Sequence, residues 1–104
     1  MKIPNFKNTF KAQEFGRLCS GNVYIEKELM HTRRKKILQS QKILNKENFS
    51  KKECWKASQL IAQAQFCREA AEAVSCGAFY PHSWKQVATG RECIICAKIE
   101  KEVL

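Results

Sequence analysis

Two long runs of apolar residues at helical spacing dominate the middle of the chain. In the first run, Val23, Met30, Ile37 and Leu44 recur every seven residues, which places them on one face of a helix. Leu29 and Ile43 widen this apolar face. Neither glycine nor proline interrupts this stretch. The pattern therefore predicts a helix over residues 23–44.

The second run opens with a helix start signal and predicts a second long helix. Ser50 and Glu53 have the spacing of a capping box, in which each side chain binds a backbone amide of the other residue. One face at 3.6-residue spacing then carries Ala57, Leu60, Ile61, Ala64, Cys67, Ala71 and Val74. Gly77 suits the position just after the helix end.

A connection of about six residues joins the two helices, which favours an antiparallel hairpin. In this arrangement we expect Leu60 and Ile61 to lie in the core and to face Met30 and Ile37.

Towards the N-terminus, residues 4–15 predict a short helix that Gly16 ends. Phe6 and Phe10 are four residues apart and share one face of it. We expect this segment to be an arm that packs its phenylalanines on the main body.

Towards the C-terminus, residues 78–82 predict a loop, followed by a capped turn that contains Trp84. Thr89 and Glu92 repeat the capping-box spacing and predict a terminal helix. Its inward positions are Ile95, Ile99 and Val103.

These elements predict an all-α fold in a single domain over residues 1–104. The domain comprises an N-terminal helical arm (residues 1–20), a long-helix hairpin (residues 23–76), and an aromatic loop with a short C-terminal helix (residues 77–104). The chain has only four glycines and two prolines, which argues against an all-β design built on tight turns.

Charge is distributed unevenly along the chain. Residues 1–53 hold thirteen basic and five acidic residues, a net charge of +8, whereas residues 54–104 have a net charge of only +1. A run of four cations on the first long helix is the centre of this charge, and Lys51 and Lys52 extend it around the hairpin turn. The cations we expect to bind phosphates are Arg33, Arg34, Lys35, Lys36, Lys42 and Lys46. The alternative is a solvated helix face without a partner.

Aromatic residues form a second candidate surface. Phe79, Tyr80 and Trp84 surround Pro81 and His82. Such side chains stack on bases or anchor a protein interface. The interpretation that we favour is structural, with these residues closing the end of the hairpin and completing the core.

Cys93 and Cys96 form a C-x2-C pattern, whose thiolates can share one metal ion. Cys76 and His82 are the best-placed further ligands, with Cys67 as a reserve. The resulting C-x5-H-x10-C-x2-C spacing is not a familiar zinc pattern. A structural zinc ion, a redox pair and ordinary core cysteines all remain open, and the sequence favours core cysteines without a cofactor.

The start of the chain lacks the apolar segment of a signal peptide, so we expect an intracellular, cytoplasmic protein with reduced thiols. Cys54 and Cys67 are then expected to be small core residues of the second helix. No run approaches the roughly 18 apolar residues of a membrane span, so no membrane partner is predicted.

Aspartate is absent, and no phosphate-binding glycine loop is present, so the chain is not predicted to be an enzyme. The favoured function is binding of DNA, RNA or a ribonucleoprotein through the cationic helical face. The alternative is a protein-binding module or inhibitor, of phage type, that docks on an acidic surface of a larger protein. The sequence does not decide the oligomeric state.

Overall fold

The computed structural model describes residues 3–101 of the chain. It contains three helices, α1 (Thr9–Leu18), α2 (Val23–Leu44) and α3 (Lys51–Ser75). Three short strands follow, β1 (Trp84–Val87), β2 (Gly90–Cys93) and β3 (Ile99–Lys101), which pair in the order β1-β2-β3 as an antiparallel sheet. The prediction of an all-α fold is therefore wrong, because helices and a sheet occur together.

Local capping signals define the two long helices. The Asn22 side chain accepts a hydrogen bond from the Ile25 amide at the start of α2. Ser50 and Glu53 form both hydrogen bonds of the predicted capping box at the start of α3. Beyond α3, Gly77 adopts a positive φ of 78°, the conformation expected directly after a helix. The predicted bounds of α2 and the six-residue connection are confirmed.

The predicted inward face of α3 is confirmed for its small residues but not for its two bulky ones. Ile25 and Leu29 of α2 are buried with Cys67, Ala71 and Val74 of α3. Ile61, which we expected in the core, is instead 49% exposed, and Leu60 is half-buried. Met30 is only partly buried against this core. The alanine-rich face of α3 thus contacts α2, and the bulkier leucine and isoleucine lie at its edge.

The N-terminal segment packs on α3, but not in the way its pattern predicted. Phe6 is buried before the helix begins, with its ring centroid 5.3 Å from that of Phe15, whereas Phe10 is 58% exposed. Gln63 accepts a hydrogen bond from the Phe6 amide and donates one to the Phe6 carbonyl. The helix also continues through Gly16, which the sequence predicted as its end.

Gly16 is instead the point of closest approach between α1 and α3. A Cβ atom at this position would overlap the Ala70 carbonyl oxygen and the Ala73 Cβ atom. Because the first of these is a backbone atom, the clash is not relieved by rotating a side chain. The absence of a side chain at residue 16 therefore sets the distance between the two helices.

We expect Gly16→Ala to lower the free energy of unfolding by about 1–3 kcal/mol. Inside a helix without such a contact, alanine is favoured over glycine by about 0.5–1 kcal/mol. A decrease in the free energy of unfolding would therefore indicate the close contact between α1 and α3. Thermal denaturation of the parent and the variant measures the effect. Leu18→Ala is the control, because Leu18 lies on the same helix and is 81% exposed. A Gly16→Ala melting temperature at or above that of the parent would contradict this packing.

The sheet occupies the region where the sequence predicted a terminal helix. Trp84 pairs with Cys93 and Val87 with Gly90, so that residues 88–89 form a two-residue hairpin loop. Glu92 lies opposite Lys85, with 3.9 Å between the carboxylate and the ammonium group, rather than capping a helix. Ile99 is 56% exposed on β3, and the predicted inward residue Val103 lies outside the described residues.

The molecule is elongated, with principal extents of 61 × 30 × 18 Å. No helix within residues 3–101 combines the length and apolar character that crossing a bilayer requires. The free end of the hairpin is the segment from residue 33 to residue 56, in which only Ser40 is buried. This segment is called the basic tip below.

Candidate functional site

The end of α3 and the loop after it supply the first half of a compact side-chain cluster. Cys76 follows the last residue of α3 and is buried. The positive φ of Gly77 reverses the chain, and the Gly77 amide donates a hydrogen bond to the Tyr80 carbonyl. This tight return brings His82 back to Cys76, so that His82 Nδ1 lies 3.0 Å from Cys76 Sγ.

The last residue of β2 and the turn that follows it supply the second half of the cluster. The Cys93 amide donates to the Lys98 carbonyl, and the Ala97 amide donates to the Cys93 carbonyl, both at 2.9 Å. Ala97 has a φ of 62°, a left-handed conformation that is uncommon outside glycine. The turn places Cys93 and Cys96 side by side, each 1% exposed.

The two halves converge on one point. Cys76 Sγ and Cys93 Sγ are 3.4 Å apart, and His82 Nδ1 is 3.5 Å from Cys96 Sγ. The three Sγ atoms and the nearest ring nitrogen of His82 all lie within 4.8 Å of one another, so the cluster could hold a metal ion. Around a tetrahedral zinc ion with zinc–sulfur bonds of about 2.3 Å, neighbouring sulfurs are about 3.8 Å apart, which is within this range.

Burial and hydrogen bonding give the thiols of the cluster very different proton affinities. Burial and hydrogen bonds with Cys93 and Cys96 raise the pKa of Cys76 to about 12. Burial opposes ionisation of Cys93 as well. However, backbone hydrogen bonds from Cys96 and Ile95, together with side-chain hydrogen bonds from His82 and Cys76, lower its pKa to about 6. These effects favour ionisation of Cys93 over ionisation of Cys76.

Neighbouring side chains hold the cluster in place. The Trp84 ring packs on the His82 ring, with 4.8 Å between the ring centroids. The Arg91 guanidinium also contacts Trp84 and lies 4.3 Å from the centroid of its ring. From α1, Gln13 donates a hydrogen bond to the Ile95 carbonyl, and Arg17 donates one to the Ala97 carbonyl. The turn that carries two of the ligands is thus attached to the helical part of the molecule.

The sequence favoured ordinary core cysteines over a metal site at these positions. The structure buries the three cysteines, as that interpretation requires, and it also brings them together with His82, as the metal interpretation requires. The reserve ligand Cys67 lies apart, in the core between α2 and α3, where burial raises its pKa. Cys54 is exposed, so its predicted core position is wrong. All six cysteines are free thiols.

The predicted phosphate-binding cations all lie in the basic tip, but they are not equally accessible. Arg34, Lys35 and Lys42 are exposed, whereas Arg33 and Lys36 are half-buried. Lys46 is exposed and forms an ion pair with Glu53 at 2.6 Å, and this contact lowers the Glu53 pKa.

The aromatic segment is divided between two environments. Phe79 and Tyr80 are 50% and 69% exposed, so they do not complete the core as we expected. Trp84 packs against the core around the cysteines. Tyr80 lines a groove together with Arg33 of α2, so one predicted aromatic residue and one predicted cation share a surface there.

Sequence reasoning missed Trp55, an exposed aromatic residue in the basic tip. The available signal was its spacing, because Lys51 and Lys52 precede it by four and three residues and therefore share its face of the helix. It also missed Gln13 and Arg17, whose contacts with the C-terminal turn have no signal in the sequence.

Comparison of the chain with protein-family models, with curated proteins and with solved structures finds no match. The functional argument therefore rests on the geometry and charge described above.

Proposed function

We propose that this protein binds nucleic acid through the basic tip and that a structural zinc ion builds its C-terminal part. The observation that carries the proposal is the charge of the tip. Residues 33–56 contain nine basic and two acidic residues, a net charge of +7 out of +9 for the whole chain. Of the nine cations, only Lys46 has an acidic partner in the part of the chain that the structure describes.

The positions of Lys51 and Lys52 support a functional origin of this charge. Both lie in the first turn of α3, where the helix dipole presents its positive end. A lysine at this end costs stability, typically about 0.3–1 kcal/mol. These two lysines are repelled by the positive end of the α3 dipole, so their charge does not stabilise the fold. They are available to a polyanion, whose phosphates bind cations by charge attraction and counterion release.

The zinc part of the proposal rests on the donor set. Three thiolates and one imidazole are soft and borderline ligands, which suit zinc and not magnesium or calcium. Four protein ligands fill the tetrahedral coordination of zinc and leave no position for a substrate, which is typical of structural sites. The zinc ion would hold Cys76, at the end of α3, to the turn that follows β2. The function proposed here is therefore binding without catalysis.

The function is tested by titrating the zinc-loaded protein with a short duplex and with a single strand at several salt concentrations. We expect binding to at least one of them, with affinity that falls steeply and linearly on a log–log plot against salt. Absence of binding to both at low salt would refute the nucleic-acid proposal. An acidic protein would then be the better candidate partner for the tip, and a titration with a polyglutamate peptide would test its charge alone.

A further inference from the structure

Trp55 is the largest exposed side chain in the basic tip and has no structural task there. Its side chain is 67% exposed and belongs to neither of the two core clusters. Among residues 3–101 the aromatic ring pairs are Phe6 with Phe15 and His82 with Trp84, so Trp55 does not stack on another ring of the chain. An indole that stays mostly exposed gains little hydrophobic stabilisation from folding.

The surroundings of Trp55 on α3 are cationic. Lys51 and Lys52 lie one helical turn before it on the same face, and Lys56 is the next residue along the chain. All three lysines are exposed and have no acidic partner within the described residues. The only acid in this first turn, Glu53, is occupied by Lys46 and by the Ser50 cap.

We propose that Trp55 is a stacking platform for an unpaired base and that the partner of the basic tip is single-stranded nucleic acid. This inference rests on the proposed function and narrows its ligand class. The lysines one turn away would bind the phosphates on either side of the stacked base. Stacking on an aromatic ring does not require a particular base, because every base has a π face.

A duplex fits this surface less well than a single strand. Its bases are already stacked on each other, so the indole cannot stack on the face of a paired base. The lysines would still attract a duplex, but Trp55 would add little to its binding. The contribution of Trp55 therefore distinguishes the two ligands, whereas the contribution of the lysines does not.

The test compares the zinc-loaded parent and Trp55→Ala in titrations with a twelve-nucleotide deoxythymidine strand and with a twelve-base-pair duplex. We expect the variant to bind the single strand about tenfold to a hundredfold more weakly, and the duplex with nearly unchanged affinity. In a Trp84→Phe variant, Trp55 is the sole tryptophan. We expect the tryptophan fluorescence of this variant to be quenched when the single strand binds.

Tyr24→Ala is the matched control, because Tyr24 is an 81% exposed aromatic residue in the first turn of α2, outside the basic tip. It should leave both affinities unchanged.

Three outcomes would overturn the inference, and they differ from one another. Equal weakening of single-strand and duplex binding by Trp55→Ala would mean that the indole does not meet an unpaired base. An unchanged single-strand affinity would leave nucleic-acid binding by the tip intact but remove Trp55 from it. A parent that binds neither ligand would refute nucleic-acid binding by the basic tip altogether. Sedimentation of the parent and the variant would then show whether Trp55 instead pairs two copies of the chain.

Discussion

Cys93→Ser should abolish stoichiometric zinc binding and release the C-terminal part of the molecule from the helices. Serine keeps the size of the side chain but removes the thiolate that the surrounding hydrogen bonds stabilise most strongly. The apparent free energy of a structural zinc site is about 10 kcal/mol or more, and a three-stranded sheet of three- and four-residue strands has little other support. Metal analysis after gel filtration measures the loss.

The helices should survive this change. The core of α1, α2 and α3 is a separate cluster from the one that contains Cys76, Cys93 and Cys96. Far-ultraviolet circular dichroism should therefore keep most of its helical signal, while the local environment of Trp84 is lost. In a Trp55→Phe variant, Trp84 is the sole tryptophan. The fluorescence of Trp84 then reports on its ring contact with His82.

Cys54→Ser is the matched control for the loss of zinc. It makes the same atomic substitution at an exposed cysteine of α3, remote from the cluster in sequence and in environment. We expect this variant to retain one zinc ion per chain and the Trp84 signal of the parent. Equal zinc content in the Cys93 and Cys54 variants would contradict the assigned ligands.

Removing three cations from the basic tip should weaken nucleic-acid binding strongly without loss of stability. In the triple variant, Lys42, Lys51 and Lys52 are replaced by Gln, all of them exposed and without an ion-pair partner among residues 3–101. Each lost phosphate contact should reduce the log–log salt slope by about 0.7–0.9, and three contacts together are worth on the order of a hundredfold in affinity near physiological salt.

The melting temperature of this variant should stay the same or rise slightly. Two of the three lysines oppose the dipole of α3, and glutamine retains most of the helix propensity of lysine. A weaker affinity together with an unchanged or higher melting temperature separates a binding defect from a folding defect.

A second triple variant removes the same charge elsewhere. Lys7, Lys27 and Lys101 are exposed and lie outside residues 33–56, so their replacement by Gln also lowers the net charge by three. We expect a much smaller change of the salt slope for this variant. If the two triple variants lost affinity equally, binding would follow net charge and not the tip.

The helical hairpin was predictable because its determinants are local. The caps at Asn22 and Ser50 and the glycine at residue 77 mark helix ends within a few residues of sequence, and α2 and α3 are long enough for their periodicity to be clear. The exact contact face was less predictable. The spacing placed Ile61 on the same face as Ala64 and Ala71, whereas the structure buries the two alanines and leaves Ile61 49% exposed.

The C-terminal part was not predictable as a sheet because its determinants are non-local. The capping-box spacing of Thr89 and Glu92 is a real local preference, but the contact of Cys76 with Cys93 joins residues that are 17 positions apart. Four-residue strands are also too short to show a period of two. The four candidate ligands were nevertheless identifiable as a set from residue type and spacing, although the sequence favoured another interpretation of them.

X-ray absorption spectroscopy of the protein, purified from a zinc-containing medium without added chelator, tests the central claim of a zinc site built from Cys76, His82, Cys93 and Cys96. We expect one zinc ion per chain, with a first shell of three sulfurs at about 2.3 Å and one nitrogen at about 2.0–2.1 Å. A protein that is folded and contains no zinc, or a zinc shell made only of nitrogen and oxygen, would contradict it.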